Sequence, residues 1–252
     1  FDWVLTRLLA GLPVTRDDVT AMGVGGLLME IVTRPQPRVA EAEKDAKNVA
    51  AIVLAAGRST RMGGPNKLLA ELNGKALVRI VAEQALASKA SSVIVVTGHQ
   101  SAEVQAALRG LDVKFVHNPQ FSEGLATSVK AGIGAVRDSA SGAVVCLGDM
   151  PLIDATLIDR LIQAFAPERG SLIAVPVAGG RRGNPVLWSR RFFPGLMALE
   201  GDVGARHLIA QNMEAVTEVE VEGLSAFLDI DTPDMLTALA AAGSAAASTV
   251  GG

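Results

Sequence analysis

The chain has 252 residues, 49% of them hydrophobic, and a formal net charge of −3, which suits one large α/β domain with a sizeable core and an appendage. The slightly acidic balance argues against non-specific binding of DNA or RNA, because that binding requires a basic surface. No run reaches the roughly 18 consecutive apolar residues of a membrane span, and a single cysteine excludes an internal disulfide and suits a reducing cytoplasm.

The composition divides the chain into four regions. Residues 1–33 mix apolar and polar residues at helical spacing, and residues 34–48 contain prolines followed by charges, as a solvated linker does. From residue 49 to residue 242, short β-branched runs alternate with amphipathic segments. Residues 243–252 are small and polar, and we expect a flexible tail there. The N-terminal residues do not resemble a secretion signal, so we expect a cytoplasmic protein.

Strands and helices alternate in the predicted order of elements after residue 48. The predicted strands are Val49–Ala55, Ser92–Thr97, Val113–His117, Ala143–Leu147, Ser171–Val177, Ala215–Val221 and Ala226–Ile230. The predicted helices are Ala76–Ala87, Ala102–Leu108, Leu125–Val136, Asp154–Ala166, Gly204–Gln211 and Thr232–Ala242. Apolar strands separated by helices predict a mostly parallel, twisted sheet in a three-layer α/β/α, Rossmann-like fold. Ligands of such sheets bind beyond the carboxyl ends of the strands.

A basic, glycine-rich loop follows the first predicted strand. It contains Gly57, Arg58, Ser59, Arg61, Gly63, Gly64 and Lys67. Glycines allow backbone amides to approach an anion, and the basic side chains add positive charge, so the loop favours a triphosphate site over an ordinary turn. It is not a Walker A loop, because Lys67 is followed by Leu68, and it lacks the G-x-G-x-x-G pattern of dinucleotide sites.

An acidic residue, Asp149, directly follows the fourth predicted strand. Mg²⁺ favours one or two carboxylates together with phosphate oxygens and water, so Asp149 is predicted to be a magnesium ligand. The alternative role is a helix cap, but Asp154 is better placed to cap the next helix. A second pair, Asp229 and Asp231, either completes the metal site or begins a helix, and both interpretations stay open.

Four weaker segments also follow strands or precede helices. Thr97-Gly98-His99 and residues 122–128 are candidates for contacts with base or ribose, while residues 181–185 and 201–206 are candidates for acceptor binding. Turn chemistry alone explains every glycine among them. The histidines lack the spacing of a zinc site, and Cys146 lies in an apolar run, which favours a buried thiol.

The residues LAAGRSTRMGGPNKLL at 54–69 resemble the signature of the molybdenum-cofactor nucleotidyltransferases, within the wider group of sugar-nucleotide-type pyrophosphorylases. Six further segments agree in the same order. They are TGH at 97–99, GLATSVKAGI at 124–133, GDMPLI at 148–153, GNPVLW at 183–188, GDVGAR at 201–206 and DIDTPDM at 229–235. The LAAG opening resembles the cytidylyltransferase branch, whereas the guanylyltransferase branch usually reads LAGG.

The resemblance implies a nucleotidyltransferase fold, CTP and molybdopterin as substrates, Mg²⁺ as cofactor, and a molybdoenzyme or its chaperone as recipient, with no nucleic acid or membrane partner. It implies catalytic roles for Lys67, Arg61 and Asp149, and metal ligation by Asp149 and Asp231. The implied nucleotide-binding residues are Ala55, Ala56, Gly57, Arg58, Ser59, Arg61, Gly63, Lys67, Thr97, Gly98, Gly124, Ser128 and Gly148. The implied acceptor-binding residues are Arg182, Gly183, Asn184 and Arg206. Relatives can carry Asn where this chain has Asp229 and Asp231, which leaves the second metal ligand open.

Two other functions compete with this one. The first is a pyrophosphorylase with the same nucleotide core and a sugar or alditol phosphate acceptor. The second is a non-catalytic molybdopterin carrier, although a carrier would not need both Lys67 and Asp149. Residues 2–38 resemble the closing segment of a molybdopterin-binding domain, and the chain begins with Phe1. We therefore expect the C-terminal part of a bifunctional protein, whose N-terminal remnant has no activity of its own.

Overall fold

The computed structural model describes residues 48–58, 66–201, 205–222, 228, 230 and 235–239. The predictions for residues 1–47 and 240–252 lie outside this part of the chain. Among the candidate site residues, those outside it are Ser59, Arg61, Gly63, Asp229 and Asp231. The last predicted strand is described only at residues 228 and 230, and the last predicted helix only at residues 235–239, which are helical.

The described residues form one large mixed sheet and a small hairpin. The strands are β1 (Val49–Ala55), β2 (Glu71–Leu72), β3 (Lys75–Ala76), β4 (Ser92–Thr97), β5 (Lys114–His117), β6 (Gly142–Leu147), β7 (Ile173–Ala178), β8 (Arg181–Arg182), β9 (Val186–Ser189) and β10 (Val216–Glu220). The main sheet has the order β10-β7-β9-β6-β1-β4-β5, and β8 pairs with β7. The β2-β3 hairpin stands apart from it.

Helices cover both faces of the main sheet. They are α1 (Leu77–Ala87), α2 (Ser101–Ala107), α3 (Leu125–Gly134), α4 (Ala155–Ala164), α5 (Phe193–Met197) and α6 (Arg206–Gln211). Every residue of β1 is buried. Alternate residues of β1 belong to two separate cores, one shared with α1, α2 and α4 and the other with α3, α5 and α6. This alternation is the period of two expected of a strand buried on both faces, and it confirms the three-layer α/β/α fold.

The structure adds a strand, β9, that was not predicted from the sequence. This strand lies between β6 and β7 and runs antiparallel to both. The β7-β8 hairpin turns through Gly179 and Gly180, with φ of 55° and 75°. Two successive positive φ values suit a two-residue hairpin turn, which favours glycine. The same signal was overlooked at Asn73-Gly74, where φ is 52° and 76° and the chain turns between β2 and β3.

The other predicted elements from β1 to β10 are confirmed, with ends that differ by a few residues, whereas the described residues 228 and 230 of the last predicted strand do not belong to a strand. The cap predicted for α4 is also confirmed, because Asp154 Oδ1 accepts a hydrogen bond of 2.8 Å from the Leu157 amide. Cys146 is fully buried, and burial raises the pKa of its thiol to about 12. No helix within the described ranges is long and apolar enough to cross a membrane.

We expect Gly142→Ala to destabilise the fold by about 1–3 kcal/mol, the usual effect of overpacking. A methyl group at Gly142 would lie 2.7 Å from the carbonyl oxygen of Trp188, which belongs to the neighbouring strand β9 and cannot rotate away. Gly134→Ala is the matched control, because nothing lies within 4 Å of its added methyl group. Urea unfolding of both variants measures the difference, and equal stabilities would contradict the prediction.

Candidate active site

The carboxyl ends of four neighbouring parallel strands meet along one side of the sheet, here called the carboxyl edge. The strand order there is β6-β1-β4-β5, and all three pairings are parallel. The pairing of Ala55 with Thr97, and of Thr97 with His117, places the residues that follow these strands side by side. The segments predicted to bind nucleotide therefore reach a common edge.

Lys67 and Asp149 form an ion pair at this edge. Lys67 Nζ lies 2.6 Å from Asp149 Oδ2, and the two side chains are only 16% and 18% exposed. Lys67 opens a short 3-10 helix whose preceding residue, Asn66, accepts a hydrogen bond of 3.1 Å from the Leu68 amide. The structure thus joins the basic loop after β1 to the carboxylate after β6, as the sequence predicts for a metal and triphosphate cleft.

Main-chain atoms form the floor between these strand ends. A methyl group at Gly98 would lie 2.9 Å from the carbonyl oxygen of Ala56, and one at Gly148 would lie 2.9 Å from that of Leu54. The Gly148 amide also donates a hydrogen bond of 3.0 Å to Leu54. These glycines allow the strand ends to pack closely, whereas Gly57 is exposed with nothing within 4 Å of an added methyl group.

Two residues predicted to contact the base or ribose lie beneath the surface. Thr97 is fully buried and its hydroxyl accepts a hydrogen bond of 2.9 Å from Ser101. Ser128 is 5% exposed and its hydroxyl accepts one from Asn118. Their hydroxyls are therefore engaged inside the protein, beside the segments that reach the edge. Gly124 precedes α3 with a φ of 112°, and Arg58 is exposed at the end of β1.

Asn118, which follows β5, is a site residue that was not predicted from the sequence. Its side chain is 2% exposed and its Nδ2 donates to the hydroxyls of Thr127 and Ser128 at 2.9 and 3.1 Å. Its backbone amide donates to the Thr97 carbonyl oxygen at 2.7 Å. An asparagine directly after a predicted strand and before Pro119 is the signal that could have identified it.

Three of the candidate acceptor residues, Arg182, Gly183 and Asn184, lie on β8 and before β9, on the far side of β6 from β1. Arg182 on β8 donates from Nε and Nη2 to Glu218 Oε1 at 2.8 and 2.7 Å, so it is already ion-paired. The Gly183 amide donates to the Pro176 carbonyl oxygen at 2.9 Å, and Asn184 is half-buried. Arg206 is exposed at the start of α6. The structure therefore holds Arg182 and Gly183 in place and leaves Arg206 open to solvent.

Asp149 is also connected to the acidic segment near the C-terminus. Its carbonyl oxygen accepts a hydrogen bond of 3.1 Å from the amide of Ile230, which is fully buried. Among the described residues, no group of three or more histidine, cysteine, aspartate or glutamate side chains could hold a metal. A single carboxylate such as Asp149 still fits Mg²⁺, because this ion usually takes one or two carboxylates and fills its shell with phosphate oxygens and water.

A family model described as the MobA-like NTP transferase domain matches residues 51–216. The chain belongs to this family. Its MobA-like domain is a nucleotidyltransferase domain, and the carboxyl edge with Lys67 and Asp149 lies within the matched residues. The molybdenum cofactor cytidylyltransferase of Escherichia coli is 32% identical over 185 residues, which cover 73% of this chain and 91% of that protein. The nicotine blue oxidoreductase of Paenarthrobacter nicotinovorans is 28% identical over 77% of this chain and 97% of that protein.

Other relatives extend well beyond the matched region. The bifunctional protein GlmU of Acidovorax ebreus is 39% identical over 152 residues, or 55% of this chain, but the match spans only 29% of that protein. Two crystal structures share the fold. The Rv0371c homologue from Mycobacterium sp. strain JC1 is 30% identical with a TM-score of 0.68, and covers 78% of this chain and 96% of that one. Rv0371c of Mycobacterium tuberculosis in complex with manganese is 28% identical with a TM-score of 0.63. The match covers 77% of this chain and 98% of that one.

Proposed function

We propose that the chain transfers CMP from CTP to molybdopterin, giving molybdopterin cytosine dinucleotide and pyrophosphate, with Mg²⁺ as cofactor. The observation that carries the proposal is the Lys67–Asp149 ion pair at the carboxyl edge, within a MobA-like NTP transferase domain. The name of the Escherichia coli relative supports the choice of base and acceptor. The manganese complex of the mycobacterial relative supports a divalent cation.

In the proposed reaction, an oxygen of the acceptor's terminal phosphate attacks the α-phosphorus of CTP, and pyrophosphate leaves in line. The acceptor phosphate is already ionised, so the reaction needs no strong general base, and positioning and charge neutralisation supply the catalysis. Lys67 and Arg61 offset the charge that builds on the leaving pyrophosphate. Asp149, with Asp231 as the proposed second ligand, would hold Mg²⁺, which supplies positive charge beside the triphosphate when bound.

The positions of the strands suggest how the substrates divide the carboxyl edge. The triphosphate lies at the end of β1, against Ala55, Ala56, Gly57, Arg58, Ser59 and Gly63. The base and ribose lie toward β4 and α3, where we assign Gly98 and Gly124 to contact and Thr97 and Ser128 to support from beneath. The acceptor lies toward β8, near Arg182, Gly183, Asn184 and Arg206. We also propose that residues 1–33 are a remnant of a molybdopterin-binding domain and that the protein acts in the cytoplasm.

A panel of nucleotides and acceptors tests the proposal. CTP, GTP, ATP and UTP are each incubated with molybdopterin, a sugar 1-phosphate or methylerythritol phosphate, and pyrophosphate release is measured with Mg²⁺ present. We expect release with CTP and molybdopterin. A preference for GTP would overturn the cytidylyl assignment, and release with only a sugar or alditol phosphate would overturn the acceptor. Tight pterin binding without any pyrophosphate release would favour the carrier instead.

A further inference from the structure

Asn118 contacts three segments that lie where we place the nucleotide: the end of β4, the loop between β5 and α3, and the first turn of α3. Its backbone amide holds the end of β4 through the Thr97 carbonyl oxygen at 2.7 Å. Its side-chain Nδ2 holds the first turn of α3 through the hydroxyls of Thr127 and Ser128 at 2.9 and 3.1 Å. Its Oδ1 accepts from the Gln120 amide at 3.0 Å, which shapes the loop between β5 and α3. One buried residue, through its backbone amide and its side-chain amide, therefore connects all three.

The loop between β5 and α3 also packs against the end of β4. A methyl group at Gly98 would lie 2.6 Å from Phe121 Cβ, so the loop after β5 packs directly on the residue that follows β4. The ring of Phe121 lies 6.0 Å from that of His99. The hydroxyl of Thr127 lies 2.9 Å from the carbonyl oxygens of Gln120 and Gly124, either of which can accept a hydrogen bond from it. The loop and the start of α3 are thus held as one unit.

We propose that Asn118 is a positioning residue that sets the separation between the Gly98 backbone and the start of α3, and through that separation the choice of nucleotide base. This inference rests on the proposed function. In that function, the phosphates occupy the end of β1 and the metal the end of β6, so the base is left with the end of β4 and the start of α3. The fit of a base of a given size then depends on the distance between these two segments.

The buried position of Asn118 makes this role sensitive to its removal. The amide is 2% exposed, so water does not replace its bonds, and its loss leaves the Thr127 and Ser128 hydroxyls without their donor. The first turn of α3 then loses its hydrogen bonds to the residue that is fixed to the end of β4. We expect the distance between the two segments to change. Because purine and pyrimidine rings differ in size, a changed distance alters which of them fits.

Equilibrium binding tests the inference without requiring the acceptor. The dissociation constants of CTP and GTP are measured by calorimetry with Mg²⁺. The preference for CTP, which is the dissociation constant of GTP divided by that of CTP, is compared between wild type and Asn118→Ala. We expect the ratio to fall by about tenfold, the effect of one well-placed hydrogen-bonded support. Asn48→Ala is the matched control, because Asn48 Nδ2 donates at 3.1 Å to Ser139 at the opposite edge of the sheet. Its ratio should stay at the wild-type value.

An unchanged ratio in a folded Asn118→Ala protein would overturn the inference, and so would an equal loss of affinity for both nucleotides, since that is what a purely structural role predicts. If Asn118→Ala does not unfold cooperatively, Thr127→Val decides in the same way, because it removes one of the two hydroxyls that Asn118 holds and preserves the side-chain shape. Failure of the wild-type protein to bind any nucleotide would overturn the proposed function, and the inference with it.

Discussion

Asp149→Asn is expected to lower turnover by ~10²-fold or more while the protein stays folded, as the loss of one preorganised electrostatic group in an active site usually does. The carboxylate lies at the carboxyl edge, 2.6 Å from Lys67 Nζ, and is the only described carboxylate that we assign to the metal. The amide keeps the shape of the side chain and removes the charge that would hold Mg²⁺. Steady-state pyrophosphate release over a range of Mg²⁺ concentrations measures the effect.

Asp154→Ala provides the matched control for this variant. Asp154 is five positions further along the chain, and its carboxylate caps α4 by accepting from the Leu157 amide. Its removal should cost about 1 kcal/mol of stability and leave turnover unchanged. Near-normal turnover in Asp149→Asn, with Mg²⁺ present, would remove Asp149 from the proposed role. A loss of activity explained by unfolding would be visible in the melting curve.

Lys67→Met is expected to reduce kcat/KM for the nucleotide by a similar ~10²-fold, because it removes the positive charge assigned to the triphosphate and the leaving pyrophosphate. It also leaves Asp149 without the partner that it has in the structure. Lys67→Arg keeps the charge in a larger, planar group and should retain more activity than Lys67→Met. Pyrophosphate release at varied nucleotide concentration separates the effects on kcat and KM.

Lys75→Met is the control for charge removal. Lys75 on β3 forms an ion pair of the same kind, with Nζ 2.7 Å from Glu83 Oε2, but its side chain is 56% exposed and it belongs to the separate hairpin. An exposed pair of this kind contributes little, so activity and melting temperature should both be close to wild type. If Lys67→Met stayed within threefold of wild type, Lys67 would have no catalytic role.

The order of elements and the meeting of Lys67 with Asp149 could be predicted from the sequence. Apolar runs that alternate with amphipathic segments lead to parallel strands, and parallel strands bring their carboxyl ends to one edge. β9 could not be predicted in the same way. Its four residues, Val186–Ser189, are all buried and form a run too short to distinguish a strand from a buried helical segment, so only tertiary contacts with β6 and β7 define them as a strand.

The burial of Thr97 could have been predicted from strand alternation. Val93 and Val95 face the core that α1 and α2 cover, and Thr97 has the same parity on β4, so its side chain lies beneath α2. The network that joins Asn118 to β4 and α3 could not be predicted, because its partners there are 9 to 21 positions away and only the folded chain brings them together.

The main-chain floor at Gly98 and Gly148 limits how this domain can diversify. Any side chain introduced there meets the backbone carbonyl oxygen of Ala56 or of Leu54 at 2.9 Å, so a mutation at either position damages the scaffold instead of retuning it. Side chains around the opening, such as Arg58 and His99, are not under this constraint, because their replacement leaves the strands undisturbed. Evolution of this domain, and its redesign in the laboratory, would begin at that perimeter.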